Sequence, residues 1–438
     1  MDNRKRKWWL ESGKNLLLLL LSLSAVYLIG RSGVYQDFGD VFTTGGLSKL
    51  SGSADVSGGK STSWSEEVRP VRLAVKNAEG CYGVQYDSTA VKGVYDGGLK
   101  KLLAVALKSA EESRAVSEEQ WREAMNGENL WVYYDFLGTV SIRSFSSWLG
   151  IETTALNGNV RCVLLAESDK GEITLYYGDP QKSSCYACTL PNVHDSDFSR
   201  ATAGISPNGA FFAFEKPEIY GDLTPYVMIL PDAPTFPVYE AGNPLNNQST
   251  ADRESMMRLF SFNPEASSVY ESADGQVIRE GNDTLRILNS GTVTFHGSDP
   301  QQARFPVSDL SDQTLIAKSV EILEPVLAGR CGDAQVYCLG TEKQKNSSVL
   351  VTFSYLLNGT QVQLAQSGYA AQFLYQDGCL ENFTICFRQY QELESQSVLM
   401  PERQAVAAMN AMGQEDKELL ACYTDDGTGQ VTAGWVAH

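Results

Sequence analysis

Histidine is nearly absent from this chain: three in 438 residues, at His194, His296 and His438. That scarcity removes the commonest general base and metal ligand from most of the sequence. The motifs of common chemistry are missing too. There is no Walker loop, no GxGxxG after a strand and no HExxH. A GxSxG nucleophile elbow is absent; "GISPNG" at positions 204–209 has the wrong spacing and no strand-turn-helix context. Positive charge is in short supply, with 35 Lys and Arg against 53 Asp and Glu and a formal net charge of −18. Beyond residue 31 the balance is 29 basic to 51 acidic residues. Phosphate binding needs clustered cations, so this body argues against a nucleic-acid partner.

Nine cysteines in a chain of this length are too few for a disulfide scaffold, and an odd number leaves at least one unpaired in a monomer. Cys162 and Cys386 lie inside apolar strand-like runs, where a thiol acts as a small hydrophobe. Cys185 and Cys188 form the one Cys-x-x-Cys spacing. A redox pair sits before a helix, whereas "SSCYACTLPNV" reads as a strand running into a Pro turn. Zinc needs two more ligands, and His194 is the only nearby imidazole. Structural thiols or a local disulfide are the expectation, with metal and redox readings behind them. No cofactor or metal site is expected, and no catalytic residue can be nominated. His194-Asp195 lacks an identifiable serine, and His296 reads as a solvated strand end. "SGGK" at positions 57–60 fits Ser-x-x-Lys but has no Lys-Thr-Gly partner. Acidic pairs such as Glu66/Glu67 and Asp425/Asp426 read as solvated surface.

What the chain does have is a single long uncharged apolar run, "NLLLLLLSLSAVYLIG", between Lys14 and Arg31. As a helix it rises about 24 Å, slightly short of the roughly 30 Å hydrocarbon core. Lys14 and Arg31 can snorkel, and Trp8, Trp9, Tyr27 and Tyr35 suit the interfaces. Arg4, Lys5, Arg6 and Lys7 place the N-terminus in the cytoplasm. A cleaved signal peptide is the rival reading. Ser22 and Ser24 would serve its cleavage site but leave an apolar core of only about six residues. The expectation is a cytoplasmic tail over 1–14, a transmembrane anchor over 15–34 and a Gly/Ser-rich tether over 35–67. Within the anchor, Ser22, Ser24 and Ala25 are the small residues suited to packing against another membrane helix.

The rest predicts an α+β fold: antiparallel sheets with packed helices in an extracytoplasmic, multi-domain body. An N-terminal α+β domain is placed at 68–200, a central one at 201–308 and a C-terminal one at 309–438. In the first, Leu99, Leu102, Leu103, Ala106 and Leu107 recur at helical spacing. Ser117 and Gln120 form a capping box, with Val116 and Trp121 at the staple positions. In the second, "GAFFAFE" and "YVMIL" read as strands, and a helix runs from Arg253 to Phe260. In the third, a helix is predicted from about Asp312 to Leu327, then hairpins turning at Asn358-Gly359 and Asp377-Gly378. Pro401 opens a helix to about Met412.

The stretch "MMRLFSFNPEASSVYESADGQVIREGNDTLRILNSGTVTF" resembles the YycH family. The matching features are Leu259-Phe260, Asp274-Gly275, Leu285-Arg286-Ile287 and Gly291-Thr292-Val293. "VSEEQWREAMNGENLWVYYDF" is similar to the family's N-domain helix and strand. "VLVTFSYLLNGTQV" and the terminal "GWV" are similar to the C-terminal domain that YycH shares with its companion YycI. The resemblance implies a single-pass membrane protein of a Gram-positive cell. It implies a non-enzymatic role: binding the sensor histidine kinase of a two-component system that controls cell-wall metabolism, together with a YycI-like companion. The rival functions are a tethered enzyme or binder acting on wall polymers, and an envelope assembly factor.

Overall fold

The computed structural model describes residues 69–437, except 127–129, 152–154, 169, 233, 246–248, 298 and 414–416. The tail, anchor and tether assigned to 1–67 lie outside the described residues.

The chain enters a seven-stranded antiparallel sheet. Its strands are β1 (Arg72–Asn77), β2 (Gly80–Gln85), β3 (Arg114–Val116), β4 (Trp131–Ser141), β5 (Asn159–Glu167), β6 (Ile173–Asp179) and β7 (Ser184–Thr189). Pairing gives the spatial order β2-β1-β4-β5-β6-β7-β3. Alternate residues point to opposite faces, and both faces are covered. One face buries Leu73, Val75, Val132 and Leu165. Against it lie α1 (Ser88–Val94), which runs through a π-helical turn at Tyr95–Leu99 into α2 (Lys100–Ser109). The buried positions of α2 are Leu102, Leu103, Ala106 and Leu107, as the helical spacing predicts. The other face buries Ala74, Trp131, Tyr133 and Leu164 against Trp121 and Met125 of α3 (Glu118–Met125). The capping box at Ser117 and Gln120 is present. Helix α4 (Ile142–Trp148) and α5 (Asp195–Thr202) complete this part.

The next segment departs from expectation. "GAFFAFE" and "YVMIL" keep only two strand residues each, β8 (Phe211–Phe212) and β9 (Met228–Ile229), with α6 (Pro217–Tyr220) between them. Glu215 ends the first strand, because its carboxylate accepts the Phe212 N–H at 2.8 Å and folds the chain into a 3₁₀ turn. The side chains fill a gap between sheets: Phe212 stacks edge-on against Tyr133, while Ala213 and Ile229 pack with Met409.

A second sheet follows. Strand β10 (Phe236–Gly242) and α7 (Thr250–Leu259) precede β11 (Ser268–Ser272), β12 (Gly275–Glu280), β13 (Asp283–Leu288) and β14 (Thr292–His296). Helix α8 (Asp312–Leu327) has the predicted ends. After it come β15 (Gln335–Lys343), β16 (Val349–Leu357), β17 (Thr360–Leu364), β18 (Ala371–Gln376), β19 (Cys379–Cys386) and β20 (Gln389–Ser397). Helix α9 (Glu402–Ala411) begins just after Pro401, and β21 (Leu419–Asp425) and β22 (Gln430–Ala437) close the described chain. The antiparallel order β11-β12-β13-β14-β19-β18-β16 forms the main face. Its inner side meets both long helices. Phe260, just beyond α7, lies 5.0 Å from the Phe383 ring, and Ser319 of α8 shares a 2.9 Å hydrogen bond with Tyr375.

The two sheets touch where β4 and β15 meet in parallel at Thr139 and Gly340. A Cβ on Gly340 would fall 1.9 Å from the Thr139 carbonyl oxygen, and one on Gly138 would fall 2.3 Å from that of Cys338. Only glycine permits this backbone approach. Pairing also joins β10 to β20 and β22, so hydrogen bonds run across position 308, and those between Gly83 and Asn208 run across position 200. One buried apolar cluster extends from Leu73 to Ala433.

Candidate functional site

The strand that follows residue 69 carries a buried charge, Arg72. Arg72 Nη2 lies 2.7 Å from Asp135 Oδ2 and 2.6 Å from Glu418 Oε1. Arg161 Nη2 lies 3.0 Å from Glu418 Oε2, and its Nε is 3.5 Å from Asp135 Oδ1. The four come from β1, β4, β5 and the residue preceding β21, so two cations and two anions close a neutral ring between the sheets. Burial opposes ionisation of Arg72, Arg161 and Glu418. For Glu418 the adjacent guanidiniums of Arg72 and Arg161 outweigh it and hold the carboxyl at about 2. Burial would equally lower Arg72, but Asp135 and Glu418 keep it protonated. Beside the ring, the Tyr86 hydroxyl accepts the Ala421 N–H at 3.0 Å, which ties β21 to the same corner.

A second pair corrects the expectation that Asp425/Asp426 is solvated surface. Asp425 is buried and takes Arg388 in a bidentate grip, Nε and Nη2 each 2.7 Å from an oxygen, plus the Tyr390 hydroxyl at 2.8 Å. Asp426 is exposed, as expected. Arg388 belongs to the turn between β19 and β20, a contact that no local pattern announces.

A third cluster sits in the stretch that carries the family resemblance. Arg304 Nε donates to Asp283 Oδ2 at 2.8 Å, and its guanidinium lies 4.0 Å over the Phe262 ring. Its Nη1 donates to the Ser261 carbonyl at 2.5 Å. Burial raises the Asp283 carboxyl, against the pull of Arg304. His296 is half-buried rather than solvated, with Nδ1 2.8 Å from Asn382 Oδ1 across the β14–β19 pair.

The Cys-x-x-Cys question is settled by strand geometry. Cys185 and Cys188 both lie on β7, and a spacing of three on a period-two strand sends them to opposite faces. Cys185 packs in the Trp121 core and Cys188 in the Leu73 core. They can share neither a disulfide nor a metal. All nine cysteines are free thiols. Among the described residues no group of three or more His, Cys, Asp or Glu could hold a metal ion. His194 is exposed, and its N–H is taken by Asp197 at the start of α5. In "GISPNG", Asn208 clamps Gly83, accepting its N–H at 3.0 Å and donating to its carbonyl at 2.7 Å. Ser22, Ser24 and Ala25 lie outside the described residues. Among the described ones, no helix is long and apolar enough to cross a membrane.

An open groove of about 1040 Å³ lies on the outer side of the second sheet. Register explains its lining. Arg286, Thr294, Thr384 and Gln372 stand in one row across β13, β14, β19 and β18, all half-buried and outward. The intervening row, Ile287, Val293, Ile385 and Ala371, points into the core.

Taken together these features define a mixed α+β body, two large antiparallel sheets with helices packed on them, joined by a buried ion ring. No family model matches the sequence, and no curated protein matches it. The fold does match a solved one: the crystal structure of YycH from Bacillus subtilis, with a TM-score of 0.55 and 10% identity. The match covers 86% of this chain and 95% of that one. The chain has a YycH-like fold, in agreement with the resemblance read from its sequence.

Proposed function

We propose that this chain is a membrane-anchored, non-enzymatic regulator that binds a sensor histidine kinase of a cell-wall two-component system. The observation that carries the reading is the YycH-like fold over 86% of the chain, reached independently of the sequence resemblance. Residues 15–34 cross the membrane with the N-terminus in the cytoplasm, and the body stands outside on the 35–67 tether. Ser22, Ser24 and Ala25 face the kinase's membrane helices, where small residues allow close approach. A YycI-like companion joins the same assembly.

The buried ring gives this reading a mechanical basis. Arg72 lies on the first strand after the tether, and Glu418 fixes it to the C-terminal strands. Movement of the body is thereby passed to the strand nearest the anchor. A contact favouring one kinase state by about 1–3 kcal/mol shifts its population 5- to 150-fold.

The test is co-purification of the full chain with the sensor histidine kinases of its own cell, against a version with residues 16–30 scrambled. Association of the full chain, weakened by scrambling, supports the reading. Failure of both the full chain and the body to associate refutes it. A reporter active only outside the cytoplasm, fused after residue 438, tests topology separately.

A further inference from the structure

The outer groove of the second sheet has a chemistry that the kinase reading leaves unused. Its floor is β13, β14, β19, β18 and β16, each paired on both sides, β16 with β15 along one edge and with β18 and then β17 along the other. The backbone N–H and C=O groups there are consumed in ladders, so an added strand has nothing to pair with. Recognition must come from side chains. Those are hydroxyls and amides: Thr292, Thr294, Thr384, Gln372, Gln376 and Asn382. Gln372 Nε2 is oriented by Thr352 Oγ1 at 3.3 Å, and Gln376 Oε1 by Asn346 Nδ2 at 3.3 Å.

Charge and apolar surface narrow the ligand. Arg286 and Lys345 are balanced by Asp274 and Glu381, so the groove has no formal net charge and favours neither an anionic nor a cationic chain. Leu350 and Leu374 are paired, half-buried neighbours on β16 and β18, and Leu288 stands apart from them on β13, so apolar surface flanks the central polar row on both sides. The large exposed hydrophobics, among them Val398, Met400 and Met412, do not line it; besides the buried Phe295 and Phe383 its aromatic lining is the half-buried Tyr369. The volume, about 1040 Å³, is at the upper end for small-ligand clefts. A ligand dense in hydroxyl and amide groups, with apolar C–H faces and no charge, fits all of these at once. Strands about 4.8 Å apart place one polar side chain beneath each successive ring of an extended chain of sugars.

We propose that this sheet face binds a neutral oligosaccharide, of plain or N-acetylated pyranose units, giving the regulator a sugar-responsive input separate from its kinase contact. The test is calorimetric titration of the full chain in nanodiscs with chitotetraose in its N-acetylated form and with maltotetraose. A tetramer of galacturonic acid and a neutral tetrapeptide serve as counter-probes. Saturable binding of a neutral sugar is expected, weakened about tenfold, or 1.4 kcal/mol, by Gln372→Ala and more by Thr384→Lys. Both variants should retain the parent melting temperature and kinase co-purification. Absence of saturable binding by both neutral sugars overturns the proposal. So does binding that survives both substitutions, or preference for the acidic tetramer or the peptide. Loss of kinase association in folded Thr384→Lys overturns it too, because the face would then be the kinase contact.

Discussion

Arg72 and Glu418 are 346 positions apart in sequence and 2.6 Å apart in space. Their side chains are each 5% exposed, and Arg161 closes on the same carboxylate. A buried pair of this kind contributes little net stability, since desolvation offsets most of its Coulomb attraction, but removing one partner is costly. Glu418→Ala strands two guanidiniums, Arg72 and Arg161. The expected loss is about 3–5 kcal/mol in urea unfolding. Replacing all four members by well-packed apolar residues should cost far less, and equal losses in both variants would refute this account.

The same carboxylate makes the body acid-sensitive. Glu418 is held at about 2 against an ordinary 4.5, so the unfolded chain binds its proton first as pH falls. The stabilisation is complete above about pH 4.5 and is lost as pH drops towards 2. Glu418→Gln should flatten that part of the stability curve, measured by melting temperature against pH.

Glu402 predicts the opposite slope at higher pH. Burial alone raises its carboxyl from 4.5 to about 8, with no cation compensating. The folded chain therefore holds a proton that the unfolded chain has lost. Its contribution is present below pH 4.5 and disappears as pH rises through about 8. Glu402→Gln should remove this decline between pH 5 and 8, and a parallel decline in both proteins would count against it.

Thiol titration tests the cysteine assignment. All nine should react with Ellman's reagent in denaturant without reductant. In the native protein only Cys81, half-buried, is open to reagent, and even its thiol is pushed up to about 12, first by burial and then by Glu215. A deficit of two thiols in denaturant would mean a disulfide.

Asn358 tests a turn with a second duty. Its φ of 48° and the 78° of Gly359 fit the predicted type I′ hairpin. Its Oδ1 also accepts from the Ser88 N–H at 3.1 Å and hydroxyl at 2.9 Å, 270 positions away. Asn358→Gly keeps the turn but drops those bonds, and should cost about 1–2 kcal/mol in urea unfolding. An unchanged midpoint would show that the contact to α1 is idle.

Much of the architecture was legible. The ends of α8, the capping box of α3 and the hairpin turns depend on neighbours within four residues, and each residue type states its own preference. Strands β10 and β20 were not read. "QYQELESQS" has no apolar alternation, and its pairing with β10 is supplied entirely by tertiary contact. The candidate site was less legible still. Asp425 looked like one of many surface carboxylates until Arg388 and Tyr390 closed on it. The groove's polar rows were visible as alternation in each strand, but nothing local says that five strands will set those rows side by side.

The sequence by itself determined the local elements, the acidic body, the single apolar run near the N-terminus and the resemblance to the YycH family. Tertiary structure alone decided that Cys185 and Cys188 face away from each other, that Asp425 is buried, and that Arg72 meets Glu418. The reason is range. Turn, cap and periodicity signals act within a few bonds, whereas burial of a charge depends on which distant strands arrive beside it.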